Sequence, residues 1–220
     1  MIFSLFGGRD KAADLPAERG PLGVAIGGAI DIDTLALEAD VAGAAPGMEL
    51  PRGGTFIVVA YGEARLDGET VLSRYYDEDD RLLQALSATG KPGDAISDIS
   101  IYASWDSVVP AGRAEWDRWA GRSGIIGQPT YDADGILFER YWGEGDGRAD
   151  LVEFVEDVDD GEAVRSIHQT CMLYARPLGR AQEMLLINIE RDIAERSSRE
   201  GGSVEFMLGY GLSPADVRRV

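Results

Sequence analysis

Short runs of apolar residues, separated by acidic and glycine-rich turns, recur along most of the chain. The clearest run is residues 55–61, Thr-Phe-Ile-Val-Val-Ala-Tyr, which is β-branched and aromatic and predicts a strand. Asp67-Gly68 predicts a hairpin turn into a second strand, residues 70–76. The same pattern predicts strands at residues 96–105, 136–142, 151–155, 164–175, 184–190 and 203–208. This spacing, about ten residues, favours antiparallel meanders over βαβ units.

Residues 111–121 predict the most prominent helix. Pro110 precedes the segment, where its missing N–H does no harm, and Gly121 ends it. Trp116 and Trp119 lie three positions apart, so both project from one face and pin the helix to a sheet. Residues 81–88 fit either a strand or a short helix. We therefore expect an α+β fold, mostly antiparallel β-sheet, with one prominent Trp-bearing helix near residues 111–121.

The chain divides into a short terminal segment and one long β-rich region. Residues 1–21 contain Gly7-Gly8, charges and prolines, and predict a flexible N-terminal tip and linker. Residues 22–212 predict a single β-rich domain. Two similar lobes, residues 22–110 and 124–212, are an alternative, because a faint repeat relates Asp67-Gly68 and Arg74-Tyr75-Tyr76 to Asp134-Gly135 and Arg140-Tyr141-Trp142. Chance similarity is a further explanation of the repeat, because the spacings between the matching residues differ in the two halves.

The charge balance excludes several functions. The chain has 39 Asp and Glu residues against 21 Lys and Arg residues, and its formal net charge is −18. Such a chain repels phosphate backbones, so we expect no nucleic-acid binding. One histidine and one cysteine cannot build a zinc site. The single cysteine suits a reducing compartment, and no apolar run reaches the roughly 20 residues of a membrane span, so we expect a cytoplasmic protein without a transmembrane segment.

No motif for catalysis or cofactor binding stands out. His168 and Cys171 are the only candidates for nucleophilic chemistry, but they lie three positions apart on a predicted strand and so point to opposite faces, which favours a packing role over a Cys–His dyad. The glycines of residues 23–28 lack the pattern of a nucleotide-binding loop. We therefore assign neither catalytic residues nor a cofactor, and an enzyme is the less favoured interpretation.

The acidic clusters predict solvated turns rather than a metal site. In Asp132-Ala133-Asp134-Gly135 the glycine comes two positions earlier than in an EF-hand loop, and in residues 157–161 it comes one position early. We assign no metal ligands, although a calcium-binding module stays an alternative. Another alternative is a small-ligand-binding protein or a hydrolase, which uses these carboxylates in a groove rimmed by Tyr131, Tyr141 and Trp142.

The first residues carry an apolar tip formed by Phe3, Leu5 and Phe6. An apolar tip at a chain terminus is costly to leave in water unless it docks on another surface. The simpler interpretation is that it folds onto its own domain. The functional interpretation is that it anchors a protein partner. We therefore name Phe3, Leu5 and Phe6 as interaction candidates, together with Tyr131, Tyr141 and Trp142.

A resemblance rests on several separated segments: residues 21–34, 74–80, 114–119, 126–131 and 172–176. Together they resemble the YjfK-like family of bacterial proteins, a domain of unknown function. The resemblance implies no catalytic residues. In enterobacteria the namesake lies in a gene neighbourhood with a relative of phage-shock protein A, a membrane-associated coat-forming protein. The resemblance therefore implies a role beside envelope-stress or membrane-remodelling machinery. We expect a non-catalytic accessory protein that binds another protein, with such a coat-forming protein as its implied partner.

Overall fold

The computed structural model describes residues 17–47, 49–51, 53–193 and 202–220. Strands hold 50% and helices 9% of these residues, so the prediction of an α+β fold is wrong and the protein is mostly β. The described part has two short helices, α1 (Leu35–Asp40) and α2 (Arg113–Ala120). Neither is long and apolar enough to cross a membrane.

Antiparallel strands form most of the protein. In chain order, the strands of the described residues are β1 (Ala29–Ile32), β2 (Gly54–Ile57), β3 (Ala60–Arg65), β4 (Val71–Tyr76), β5 (Arg81–Ser87), β6 (Ile96–Val108), β7 (Thr130–Ala133), β8 (Ile136–Arg140), β9 (Val152–Asp159), β10 (Val164–Leu178), β11 (Ala181–Asp192), β12 (Ser203–Gly211) and β13 (Val217–Arg219). The hairpin predicted around Asp67-Gly68 joins β3 to β4, and the segment that fitted a strand or a helix forms β5.

Eight of these strands close into a barrel. The first half of the chain supplies the meander β3-β4-β5-β6, and the second half supplies β9-β10-β11-β12. Antiparallel pairing of β3 with β9 and of β6 with β12 joins the two meanders, and β10 pairs with β11 to complete the ring. Each half thus contributes four strands to one barrel. The division into lobes of residues 22–110 and 124–212 stays a prediction.

Two outer layers cover much of the barrel. The three-stranded sheet β13-β1-β2 packs Ile30 and Phe56 against the outer face of β3 to β6, where it meets Tyr75 and Ile101. Helix α2 and the β7-β8 hairpin cover the outer face of β10 to β12. Because these strands are buried on both faces, their apolar residues run almost continuously instead of alternating. That is why neighbouring residues such as those of β4 are nearly all buried.

The predicted strand at residues 55–61 is divided between two sheets. The N–H of Val58 donates to the carbonyl of Gly28, at 2.9 Å, within the outer layer. The N–H of Val59 donates to the carbonyl of Tyr76, at 2.8 Å, and so begins the barrel. The sequence predicted the strand conformation correctly, but nothing in the local pattern marks the residue at which the chain changes sheets.

The predicted Trp-bearing helix is present as α2. It ends where the N–H of Gly121 donates to the carbonyl of Asp117 at 3.0 Å. Trp116 is buried, and the Trp119 ring lies 5.6 Å from the ring of Phe206 on β12. The two tryptophans therefore attach the helix to the barrel, as their spacing predicts.

Candidate functional site

The barrel interior combines an apolar cluster with a group of polar side chains. Residues that alternate along each strand point inward. The apolar cluster takes side chains from all eight strands, among them Ala64, Leu72, Leu82, Tyr102, Phe154, Leu173 and Leu186, with Met207 packed against it. The polar group occupies inward positions of β4, β5, β9, β10 and β11. We call it the interior polar cluster: Arg74, Tyr76, Gln84, Glu156, Gln169, Asn188 and Glu190.

A buried ion pair forms the centre of the interior polar cluster. Arg74 Nη1 on β4 lies 2.8 Å from Glu156 Oε2 on β9, and the two side chains are 2% and 0% exposed. Arg74 Nε also donates to Gln84 Oε1 at 3.1 Å. Tyr76 donates its hydroxyl hydrogen to Glu156 Oε1 at 2.6 Å. Charged groups that are buried this fully need such partners, because an unpaired buried charge would lower the free energy of unfolding by several kcal/mol.

Gln169 on β10 extends the cluster along the sheet to a second carboxylate on the next strand. Its Nε2 donates to Glu156 Oε2 at 3.0 Å and to Glu190 Oε1 at 3.2 Å. Glu190 lies directly opposite Gln169 in the pairing of β10 with β11. Two carboxylates, Glu156 and Glu190, therefore share one amide group inside the barrel.

Gly62 on β3 leaves the room that Glu156 occupies. A Cβ atom at this position would lie 1.9 Å from Glu156 Oε1 and 2.8 Å from its Cδ. Any larger residue would displace the carboxylate from Arg74 and Tyr76. The glycine is therefore part of the architecture of the site, although it carries no functional group.

Burial controls the ionisation of the cluster. It raises the pKa of Glu190, and the charge of nearby Glu156 adds to the rise, while Gln169 and Arg74 oppose it. Burial also raises the pKa of Tyr76 well above its ordinary value. For Arg74, burial by itself lowers the pKa, but Glu156 and other neighbours outweigh this effect and raise it. Tyr76 thus remains a neutral donor beside a charged guanidinium.

Two carbonyl oxygens of the cluster lack a hydrogen-bond partner. Gln169 and Asn188 are each 1% exposed, and within the described part of the chain neither Gln169 Oε1 nor Asn188 Oδ1 meets a donor. A buried acceptor without a donor costs about 1–3 kcal/mol. These two atoms are therefore unusual for a purely structural core.

His168 and Cys171 point to opposite faces of their strand, as the sequence predicts. Both lie on β10, where His168 is half-buried and Cys171 is buried among the interior apolar residues. Burial raises the pKa of the Cys171 thiol to about 11, so it stays protonated near neutral pH. His168 Nε2 instead lies 3.8 Å from Glu153 Oε2. The two side chains point to opposite faces and form no nucleophilic pair.

The three predicted aromatic candidates lie in different surroundings. Tyr131 on β7 packs against the rings of Tyr174 and Phe206 at 5.6 and 5.9 Å, and burial raises its pKa to about 12. Tyr141 is exposed and meets the edge of the Trp142 ring at 6.4 Å. Trp142 is half-buried against the interior apolar cluster. Phe3, Leu5 and Phe6 lie outside the described residues.

The acidic clusters bind backbone groups of turns. Asp132 accepts a hydrogen bond from the N–H of Gly135 at 2.7 Å in the β7-β8 hairpin. Asp160 accepts from the N–H groups of Glu162 and Ala163, which lower its pKa. Among the residues that the structure describes, no group of three or more His, Cys, Asp or Glu side chains is arranged to hold a metal ion.

A second buried carboxylate ties a loop to the outside of the barrel. Glu183 on β11 accepts hydrogen bonds from Arg176 Nε, the Tyr210 hydroxyl and the N–H of Gly47, each at 2.6 Å. Arg176 Nη2 also donates to the carbonyl of Ala45 at 2.8 Å. The interaction holds the loop after α1 against β10 to β12.

We expect Glu183→Ala to lower the free energy of unfolding by about 1–3 kcal/mol, because Tyr210 loses its acceptor in a buried position. Hydrogen exchange of the Gly47 amide should accelerate. Asp40→Ala is the control, since the pair of Asp40 with Arg180 is exposed and should contribute less than about 1 kcal/mol. Equal effects of the two substitutions in urea denaturation would contradict the role of Glu183.

A groove crosses the outer face of the barrel where β3, β9 and β10 meet. It has a volume of about 590 Å³ and is lined by Arg19, Tyr61, Glu63, Ala64, Arg65, Val155, Asp157, Asp159 and Val164. Val155 and Val164 are 46% and 65% exposed. Among the described residues, no β9 side chain belongs to either of the two outer apolar layers. We call this region the β9 groove.

The interior polar cluster has only a weak signal in the sequence and was not predicted from it. Arg74 lies in a run of otherwise uncharged residues. Glu156 lies two positions from each of the apolar residues Phe154 and Val158 and therefore on the same face of the strand. A charge at an inward position of a strand indicates either a partner or a site. The identity of the partner was not visible, because Arg74 and Glu156 are separated by 82 residues.

Comparison with known proteins places the chain in one family. No curated protein and no solved structure matches it. The model of a family described as a protein of unknown function (DUF2491) matches residues 1–218 of the chain's 220. Because this match spans nearly the whole sequence, the chain belongs to the DUF2491 family.

Proposed function

We propose that this chain is a non-catalytic accessory protein that binds a segment of another protein in the β9 groove. The supporting observation is the exposure of Val155 on β9 and of Val164 at the start of β10, beside a strand that, among the described residues, supplies no side chain to either outer layer. Apolar side chains in a groove with a polar rim are typical of protein-interaction surfaces.

The charges around the groove favour a basic partner. Glu63, Asp157 and Asp159 line it, together with two arginines, Arg19 and Arg65. Arg19 already pairs with Asp159 at 2.5 Å, so part of the positive charge is neutralised. The net charge of −18 extends the attraction for a basic segment beyond the groove. The proposed occupant is a segment that places one or two apolar side chains between lysines or arginines.

The resemblance to the YjfK-like family supports a more specific proposal. In this proposal the partner is a membrane-associated coat-forming protein related to phage-shock protein A, and the complex forms in the cytoplasm. The apolar tip of Phe3, Leu5 and Phe6 would provide a second contact with the partner. Removal of residues 1–8 should then weaken the complex without abolishing it, because the β9 groove remains.

Site-specific photocrosslinking tests the groove directly. A photoreactive amino acid replaces Val164 in one variant and Val109 in a control variant; both valines are well exposed, but Val109 lies outside the groove. In lysate of the source cells, we expect Val164 to give one salt-sensitive protein adduct that Val109 does not give. Val155→Asp should abolish that adduct. The same adducts from both positions would contradict binding in the β9 groove.

A further inference from the structure

Three oxygen-bearing side chains of β10 and β11 share one patch of the barrel interior, and Glu205 of β12 lies opposite one of them, Asn188. Gln169 on β10 lies directly opposite Glu190 on β11 in the strand register. Asn188 lies two residues before Glu190 on the same strand and therefore on the same face. Side chains in such opposite and diagonal positions of an antiparallel pair lie within reach of one another. The patch joins a carboxylate to two amide oxygens.

Both amide oxygens of this patch lack donors, as described above for Gln169 and Asn188. The orientation of the Gln169 amide follows from its contacts, because Nε2 donates to the carboxylates of Glu156 and Glu190. Its Oε1 therefore remains an acceptor. The patch consequently has acceptors in excess of the donors that the described part of the chain supplies to it.

The charge of the cluster is also unbalanced. Glu156 and Glu190 are both acidic, and Arg74 places its Nη1 on Glu156 and its Nε on Gln84. Glu190 receives only the neutral amide of Gln169 among the hydrogen bonds found in the described residues. A positively charged group beside Glu190 would therefore supply both the missing charge and the missing donors.

The patch lies next to solvent on one side. Arg74, Glu156 and Gln169 are buried, but Tyr76, Gln84 and Glu190 are only partly buried. Met207, which packs against the interior apolar cluster, is also partly exposed. Glu190 is therefore the member of the patch nearest to solvent, and a small molecule would approach the patch from its side.

We propose that Gln169, Asn188 and Glu190 bind the primary ammonium group of a small organic amine. An ammonium group carries three N–H donors, and the patch provides three acceptors: Gln169 Oε1, Asn188 Oδ1 and the Glu190 carboxylate. A calcium ion fits less well, because it takes six to eight oxygen ligands. This assignment is independent of the β9 groove, which lies on the outer face.

Thermal unfolding and calorimetric titration with n-butylammonium chloride test the proposal. We expect about 20 mM butylammonium to raise the melting temperature by about 2 °C or more. Tetramethylammonium chloride at the same concentration is the matched control, because it carries the charge but no N–H donor. It should give no shift beyond that of sodium chloride. No shift with butylammonium, or equal shifts with both cations, would overturn the proposal.

Two variants locate the binding. Glu190→Gln removes the charge and keeps the shape, and Asn188→Leu removes an unpartnered amide and keeps the volume, so both should fold. Each should weaken butylammonium binding about tenfold or more. Glu153→Gln changes an exposed carboxylate outside the barrel and should leave the affinity unchanged. Unchanged affinity in both interior variants would overturn the assignment.

Discussion

Arg74→Met is expected to lower the free energy of unfolding by about 3–5 kcal/mol. The substitution leaves the Glu156 carboxylate, which is 0% exposed, without its charged partner. Tyr76 and Gln169 still donate to Glu156, but they do not balance its charge. The cost therefore comes from the buried charge that remains and not from the packing that is lost, since methionine fills much of the volume of arginine.

Urea denaturation of a double-mutant cycle measures this effect. Arg74→Met combined with Glu156→Leu should recover most of the loss, because an apolar pair replaces an ion pair at little cost in a buried position. Arg113→Met is the control, since its pair with Asp117 is exposed on α2 and should contribute less than about 1 kcal/mol. A double variant that is no more stable than Arg74→Met would show that the Glu156 charge is not the source of the loss.

Phe206→Ala should have an effect of similar size, about 3–5 kcal/mol. Phe206 on β12 is 2% exposed. Its ring lies 6.2 Å from Trp105, 5.6 Å from Trp119 and 5.9 Å from Tyr131. Truncation would therefore leave a cavity at the point where α2 and β7 both pack on the barrel.

The same aromatic contacts predict how Phe206→Ala changes the near-ultraviolet circular dichroism spectrum. Near-ultraviolet circular dichroism should lose intensity, because Trp105, Trp119 and Tyr131 lose their common neighbour. Leu137→Ala is the control: Leu137 is exposed on β8, and its truncation should cost little. A loss below about 1 kcal/mol for Phe206→Ala would contradict its central place between the barrel and the layer of α2 and β7.

Local sequence signals predicted the elements well where the controlling interactions are close in sequence. Asp67-Gly68 marks the hairpin between β3 and β4, and Pro110 and Gly121 bracket α2. The α+β assignment was wrong because the helices α1 and α2 hold only 6 and 8 residues, while ambiguous segments such as β5 became strands. Burial on both faces of a strand hides the alternating pattern that identifies it.

The closure of the barrel had no local signal. β3 meets β9 through pairs such as Tyr61 with Asp159, and β6 meets β12 through pairs such as Tyr102 with Gly209. Such contacts join residues about a hundred positions apart, and their register depends on the twist and stagger of the whole sheet. The β9 groove exists for the same reason, because it lies where strands from both halves of the chain meet.

By itself, the sequence determined the acidic charge, the position of α2, the turn at Asp67-Gly68 and the opposite orientation of His168 and Cys171. Each depends on residue type or on spacing within one element, which local sterics and periodicity control. Only the tertiary structure decided that Arg74 meets Glu156 across 82 residues and that Gln169 links Glu156 to Glu190. These contacts follow from strand pairing over long separations, which the chain specifies only when the barrel closes as a whole.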